Sequence, residues 1–387
     1  MIHRLQRGAV PAKPHTVFHQ AGALVYEHCL TRQGFDGTYS ILYHRTPPHP
    51  IEQEELLGWH PGFAVGEDPA PLRRRHFRTG ESPVGSSPFL GRRRLLANTD
   101  VAIWFVNAES SDQLLVCNAD GDELAYVFEG AGTLETPFGT LSFGAGDYVY
   151  IPRSVIHRWR IESPVRLLII EGLSALDVPA HFRNPAGQLR MDAAYTHRDF
   201  QTPHWSESEP VRQGPVAVLV KRREHLTRLS YTNHPFDVVG WDGALWPFVF
   251  PIQAFQPRTG LVHLPPSIHT TFTGPGFVVC SFVPRVTDFH PQAVPCPYPH
   301  SSVDCDEVLF YVAGNFTSRR GIEPGSISFH PMGLPHGPHP GTYEASIGSV
   351  RTDEMAVMLD TFKPLLPTAH AFALEDEHYS LSWRNTP

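Results

Sequence analysis

A spacing that occurs twice constrains this chain more than any other feature. Glu123 is followed seven residues later by Gly130, and Glu307 seven residues later by Gly314, the two pairs lying 184 residues apart. Downstream, Gly146, Pro152 and His157 repeat the steps of six and five residues that separate Gly325, Pro331 and His336. A repeat on this scale signals a duplicated supersecondary unit. The units are β in character. Runs such as LAYVFEG, TLSFGAGDYVYIP, VLFYVAGNF and GSISFHP are rich in β-branched and aromatic residues and are bounded by Gly, Pro or Asp. The 38 prolines and 31 glycines oppose long helices and favour short strands joined by turns. The expected fold is therefore all-β, with two double-stranded β-helix (jelly-roll) barrels. The N-terminal barrel is assigned to residues 1–190, a proline-rich connecting region to 191–250, and the C-terminal barrel to 251–387.

Composition narrows the partners. The chain has 387 residues, 41% of them hydrophobic, which is ample for a two-barrel core. Its net charge of −8 gives no footing for nucleic acid or an anionic membrane surface. No apolar run approaches the roughly 20 residues of a membrane span. The basic start, MIHRLQRGAV, is not followed by an apolar stretch, so no signal peptide is expected. Five cysteines without tight spacing read as reduced thiols, and a cytoplasmic location follows from that. Exposed barrel edges favour a homo-oligomer.

The repeated spacings are those of the cupin superfamily. Its first motif is matched by His300, Glu307 and Gly314, and its second by Gly325, Pro331, Gly333 and His336. Ser302 stands where the second histidine of the first motif would fall, and Pro340 replaces a final asparagine. Two imidazoles and one carboxylate, from His300, Glu307 and His336, form the ligand set of a non-haem Fe(II) site with positions left open. The triad alone would also accept zinc, manganese or nickel. Asp306 competes with Glu307 for the carboxylate position. Adjacent strand residues face opposite ways, and the spacing to Gly314 favours Glu307. In the first copy Glu123 and His157 persist, but Val116 stands at the position of His300 and Asn118 at that of Ser302. Two ligands hold a metal poorly, so the N-terminal barrel is expected to be degenerate and structural.

Further segments narrow the reading. HPFDVVGWDGALWPF (234–248), HLPPSI (263–268), PYPH ending at His300, and LPHGPH (334–339) together resemble the homogentisate 1,2-dioxygenases, most strongly over residues 230–365. The resemblance implies Fe(II) held by His300, Glu307 and His336. It implies His263 as the base for a substrate hydroxyl and His330 as a second active-site histidine that positions oxygen or substrate. It implies cleavage of an aromatic ring with both atoms of O2, giving maleylacetoacetate if the substrate is homogentisate, within tyrosine and phenylalanine catabolism. Two departures stand out. His300 and Glu307 are seven residues apart, where the family usually has six, and Phe316 replaces a substrate-contacting tyrosine nine residues after the glutamate. Phe316 and His339 are the expected substrate neighbours, with a solvent-exposed His339 as the plainer alternative. Trp241, Trp246 and Phe248 could wall an aromatic pocket or pack in the core. Arg258 and Arg285 could meet a substrate carboxylate or serve in ion pairs. Two other readings fit the residues: a cupin metal enzyme of another class, such as a sugar isomerase using Mn or Zn, and a non-catalytic bicupin binding protein.

Overall fold

Short strands connected by turns account for most of the chain, as the proline and glycine content implies. The computed structural model describes residues 3–58, 71–206, 212–223, 225–316, 318–319 and 321–384. Two large antiparallel sheets form the body. One has seven strands, ordered Phe248–Pro251, Asp147–Ile151, Asp122–Glu129, Val165–Gly172, Val101–Ala108, Arg93–Ala97 and Leu366–Pro367. The other has six, ordered Thr270–Gly274, Phe277–Phe282, Met355–Thr361, Asp306–Ala313, Ile327–His330 and Arg75–Phe77. Met355–Thr361 thus lies inside its sheet, between Phe277–Phe282 and Asp306–Ala313.

The halves exchange edge strands. Arg75–Phe77, early in the chain, pairs with Ile327–His330. Leu366–Pro367, late in the chain, pairs with Arg93–Ala97. Each exchange covers an edge that would otherwise present unpaired backbone groups. The core is continuous across both halves. Phe310 of the second half packs edge-on against Phe128 (5.2 Å between ring centres) and lies 6.2 Å from both Phe105 and Tyr126.

The expected connector at 191–250 is not a linker. It carries Val216–Arg222, His225–Tyr231, Val238–Gly243 and Phe248–Pro251. These pair respectively with Leu115–Asn118, Ile51–Leu57, Tyr39–His44 and Asp147–Ile151. The prolines mark the turns between β-branched and aromatic runs such as VAVLV and VVGW, and the runs themselves join the N-terminal sheets. Trp241, Trp246 and Phe248 belong to this buried structure. Trp241 donates its indole N–H to Phe138 O (2.9 Å) and is core, not pocket wall.

The repeat glycines have a backbone reason. Gly130 and Gly314 adopt φ of +90° and +89°, and a Cβ there would sit 2.3 Å from Pro164 O and 2.2 Å from Asp353 O. Both the turn and the close strand contact exclude a side chain. Among the described residues no helix is long and apolar enough to cross a membrane.

Candidate metal centre

Strand pairing brings the repeat residues together. His300 and His336 are direct cross-strand partners in a two-stranded ladder, His300–Ser301 with Pro335–His336. Glu307 lies opposite His330 on one side and opposite Asp360 on the other. The first copy has the same frame: Val116 bridges His157, and Glu123 lies between Ile151 and Glu171. The alignment that set Val116 against His300 is therefore the alignment of the fold.

His300, Glu307 and His336 form the group that could hold a metal, with one donor atom from each all within 4.8 Å of one another. Glu307 Oε2 lies 3.8 Å from His300 Nε2, and Oε1 lies 3.6 Å from His336 Nε2. Both imidazoles are oriented from behind. His300 Nδ1 donates to Tyr298 O (3.3 Å) and His336 Nδ1 to Leu334 O (3.1 Å). Carbonyl acceptors fix the proton on Nδ1 and leave both Nε2 lone pairs facing the carboxylate. His336 Nε2 is buried and has no hydrogen-bond partner. Two Nε2 lone pairs, one of them orphaned, beside a buried carboxylate are a donor set that fits a divalent cation.

Asp306 does not join this group. Its Oδ1 accepts from Met332 N (2.8 Å) and its Oδ2 from Leu365 N (2.7 Å), so it ties down two loops on the opposite face. Asp122, its counterpart in the first copy, likewise accepts from Arg153 N (2.8 Å) and Leu176 N (2.9 Å).

His330 is brought to the centre but has another task. It is fully buried, and its Nδ1 donates to Glu307 Oε1 (2.7 Å). Tyr379 OH donates to the other ring nitrogen (3.3 Å). Burial pushes the imidazole down to about 3, so it stays neutral. Burial alone would raise Glu307, but the hydrogen bond from His330 and then the neighbouring His336 imidazole hold it well below the usual carboxylate range. Burial and then the Glu307 charge raise Asp360 to about 8. His330 thus holds Glu307 from behind and is not on the cavity wall.

A cavity of about 130 Å³ opens beside the triad, with His263, Tyr298, His300, Glu307, Tyr311 and Phe316 on its wall. An apolar cavity of roughly 150 Å³ accommodates benzene. Phe316 is buried and packs edge-on to Tyr311 (4.8 Å), so the residue that replaces the family tyrosine does reach this space. His263 stands on the wall with Nδ1 3.6 Å from Asp288 Oδ2, its ring edge-on to Tyr298 (5.1 Å), and Nε2 without a partner. His339 is neither exposed nor on the wall. It is 1% exposed, packed edge-on against Trp383 (4.2 Å), and within 3.1 Å of Ser382 Oγ through Nε2. The residues around Tyr379 and Trp383 fold over it, a long-range contact that a Pro-Gly loop in the sequence does not announce. Arg258 pairs with Asp192 (2.5 Å) and Arg285 with Glu354 (3.2 Å). Asp288, Tyr311, Arg319 and Tyr379 were missed by sequence reasoning, since none falls at a repeated spacing.

In the first copy the chain's own cations stand beside the corresponding carboxylates. Arg92 Nη1 donates to Glu123 Oε1 (2.6 Å), and Asn118 Nδ2 bridges Glu123 Oε1 and Glu171 Oε1 (2.7 Å each). Lys221 Nζ donates to Glu171 Oε1 (2.5 Å). Burial raises Glu123, but Arg92 overrides it and brings the carboxyl to about 2. The chain's own cations neutralise both carboxylates. In the second copy neutral His330 is the donor to Glu307, and its negative charge remains available for a cation.

Comparison with known proteins identifies relatives of the chain. Residues 90–252 match the family described as homogentisate 1,2-dioxygenase N-terminal. A Saccharolobus solfataricus protein, named only provisionally as a dioxygenase, is 38% identical over 387 residues, covering 99% of each chain. A homogentisate 1,2-dioxygenase of Bradyrhizobium diazoefficiens is 31% identical over 69% of this chain and 62% of its own length. One from Rhodopseudomonas palustris is 30% identical over 79% of this chain and 69% of its own. The shared motifs, the barrel frame and these relatives together place the chain in the homogentisate 1,2-dioxygenase family.

Proposed function

We propose that this protein is an Fe(II)-dependent dioxygenase that opens the ring of homogentisate or a closely related hydroquinone or phenolic acid. The observation that carries the reading is the convergence of His300, Glu307 and the orphaned His336 Nε2 on one another, beside a cavity that His300 and Glu307 line together with aromatic residues and His263, whose Nε2 has no partner. Bound Fe(II) supplies coordination positions for substrate and O2 side by side and a path for electrons between them.

The remaining tasks fall to the chain. Phe316 and Tyr311 present ring edges and faces that hold a planar substrate against the triad. Asp288, 3.6 Å from His263 Nδ1, favours the tautomer with the proton on that nitrogen. His263 Nε2 is then the basic atom and accepts the substrate hydroxyl proton. His330, locked between Glu307 and Tyr379, keeps the carboxylate aimed at the metal position. An isomerase acting on a polyol would call for polar groups where Phe316, Tyr311 and Tyr298 line the space.

The test is oxygen uptake by protein reconstituted anaerobically with Fe(II). Homogentisate should trigger O2 consumption and a strongly absorbing ring-opened product. No uptake with homogentisate, gentisate or hydroquinone would remove the reading. His336→Ala should lose bound metal. His263→Ala should keep the metal and lose about 10²–10⁴-fold in turnover, the range of a positioned acid–base group.

A further inference from the structure

Among the described residues four arginines line the cavity: Arg258, Arg285, Arg319 and Arg351. Arg258 is bound to Asp192 and Arg285 to Glu354. Arg351 is exposed at the rim. Arg319 differs from all of them. It is largely enclosed, yet among the described residues no carboxylate lies within ion-pair distance of it. Its Nη1 donates to Gly337 O (2.5 Å) and Ser318 O (3.2 Å), its Nε is buried without a partner, and its guanidinium lies 5.8 Å from the Trp383 ring. A second cation, Arg74, sits 4.4 Å from the same ring and donates to Pro335 O (3.1 Å).

The carboxylates on the wall are already engaged. Glu307 faces the imidazoles, Glu354 faces Arg285 and Asp288 faces His263. Burial opposes the charge on Arg319, and the neighbouring Tyr311, Tyr379 and then Glu307 favour it. A guanidinium enclosed without a counter-ion is costly, and a planar carboxylate is the partner its fork matches.

We propose that Arg319 is the anchor for the carboxylate of an aromatic acid substrate and sets the preference of this site for anionic over neutral phenols. This rests on the dioxygenase reading for the identity of the ring. The backbone carbonyls of Gly337 and Ser318 hold Nη1, and the Tyr311 hydroxyl, itself on the cavity wall, lies within hydrogen-bonding reach of the guanidinium, so a carboxylate would be met by the arginine and the phenol together.

Binding can be measured apart from turnover. The Zn²⁺-loaded protein, which cannot activate O2, is titrated calorimetrically under nitrogen with homogentisate and with its neutral amide, 2,5-dihydroxyphenylacetamide. The wild type should bind the acid at least tenfold more tightly than the amide. In R319Q that ratio should fall to within twofold while metal content stays unchanged, and R319K should lie between. Equal binding of acid and amide by the wild type, no binding of the acid, or an R319Q protein that keeps the full ratio would each overturn the proposal. The wild-type comparison stands even if R319Q fails to fold. Oxygen uptake is read separately. An Arg319-dependent acid preference in a protein that consumes no O2 would remove the dioxygenase reading and leave the anchor. Uptake by an R319Q protein with its ratio intact would do the reverse.

Discussion

Replacing Arg92 by Met tests whether the first barrel has substituted an internal cation for a metal. Arg92 and Glu123 are both fully buried, and Arg92 Nη1 donates to Glu123 Oε1 at 2.6 Å. In the folded chain the Glu123 carboxyl lies at about 2, against 4.5 when free. At 1.36 kcal/mol per pKa unit, the displacement is worth about 3 kcal/mol at neutral pH. Removing one partner of a buried pair costs roughly 3–5 kcal/mol by independent measure, so the two figures agree. The sign follows from the depressed folded value. The contribution is complete above about pH 4.5 and disappears as pH falls through 4.5 towards 2, with about half left near pH 3. Urea unfolding at pH 7 should therefore show R92M about 3 kcal/mol less stable than the wild type. With a slope of roughly 3 kcal/mol per molar, the midpoint falls by about 1 M. The gap should narrow to about 1–2 kcal/mol at pH 3. The double variant R92M/E123Q, which leaves no buried unpaired charge, should recover most of the loss, and metal content should not change. An R92M protein within 0.5 kcal/mol of the wild type, or a gap of equal size at both pH values, would refute the reasoning.

Two further substitutions separate ligands from the groups around them. His330→Ala removes the donor to Glu307 Oε1. It should weaken Zn²⁺ or Co²⁺ binding about 10–100-fold in a chelator competition, the usual effect of losing a partner behind a ligand, and unchanged affinity would deny His330 that role. Asp306→Ala frees the backbone amides of Met332 and Leu365. It should cost about 3 kcal/mol in urea unfolding at full metal stoichiometry, and a folded D306A protein without metal would make Asp306 the ligand.

What the sequence reveals depends on how far a contact reaches along the chain. The strands of the repeat, their glycines and the triad were legible because each rests on a short fixed spacing. Glu307 was chosen over Asp306 from strand alternation and one glycine, and the two loop amides on Asp306 agree with that choice. Contacts across hundreds of residues left no such trace. Arg75–Phe77 closes the second sheet from the first half, and Tyr379 and Trp383 return to cover His330 and His339. His339 is therefore expected beside the substrate or in solvent, when it is enclosed away from both. His330 was read as facing substrate because its offset from His336 is local, whereas its hydrogen bond to Glu307 comes from sheet register. The strands at 216–251 were hidden by their own prolines, which punctuate a sheet as readily as they make a linker. The first barrel is expected to be degenerate because a histidine is missing, and its buried charges act in the same direction. A barrel that keeps two inward carboxylates, Glu123 and Glu171, still needs positive charge beside them, and Arg92 and Lys221 supply it. Restoring a histidine at Val116 alone would therefore not restore a metal site, because the guanidinium and ammonium groups already occupy the electrostatic role of the ion.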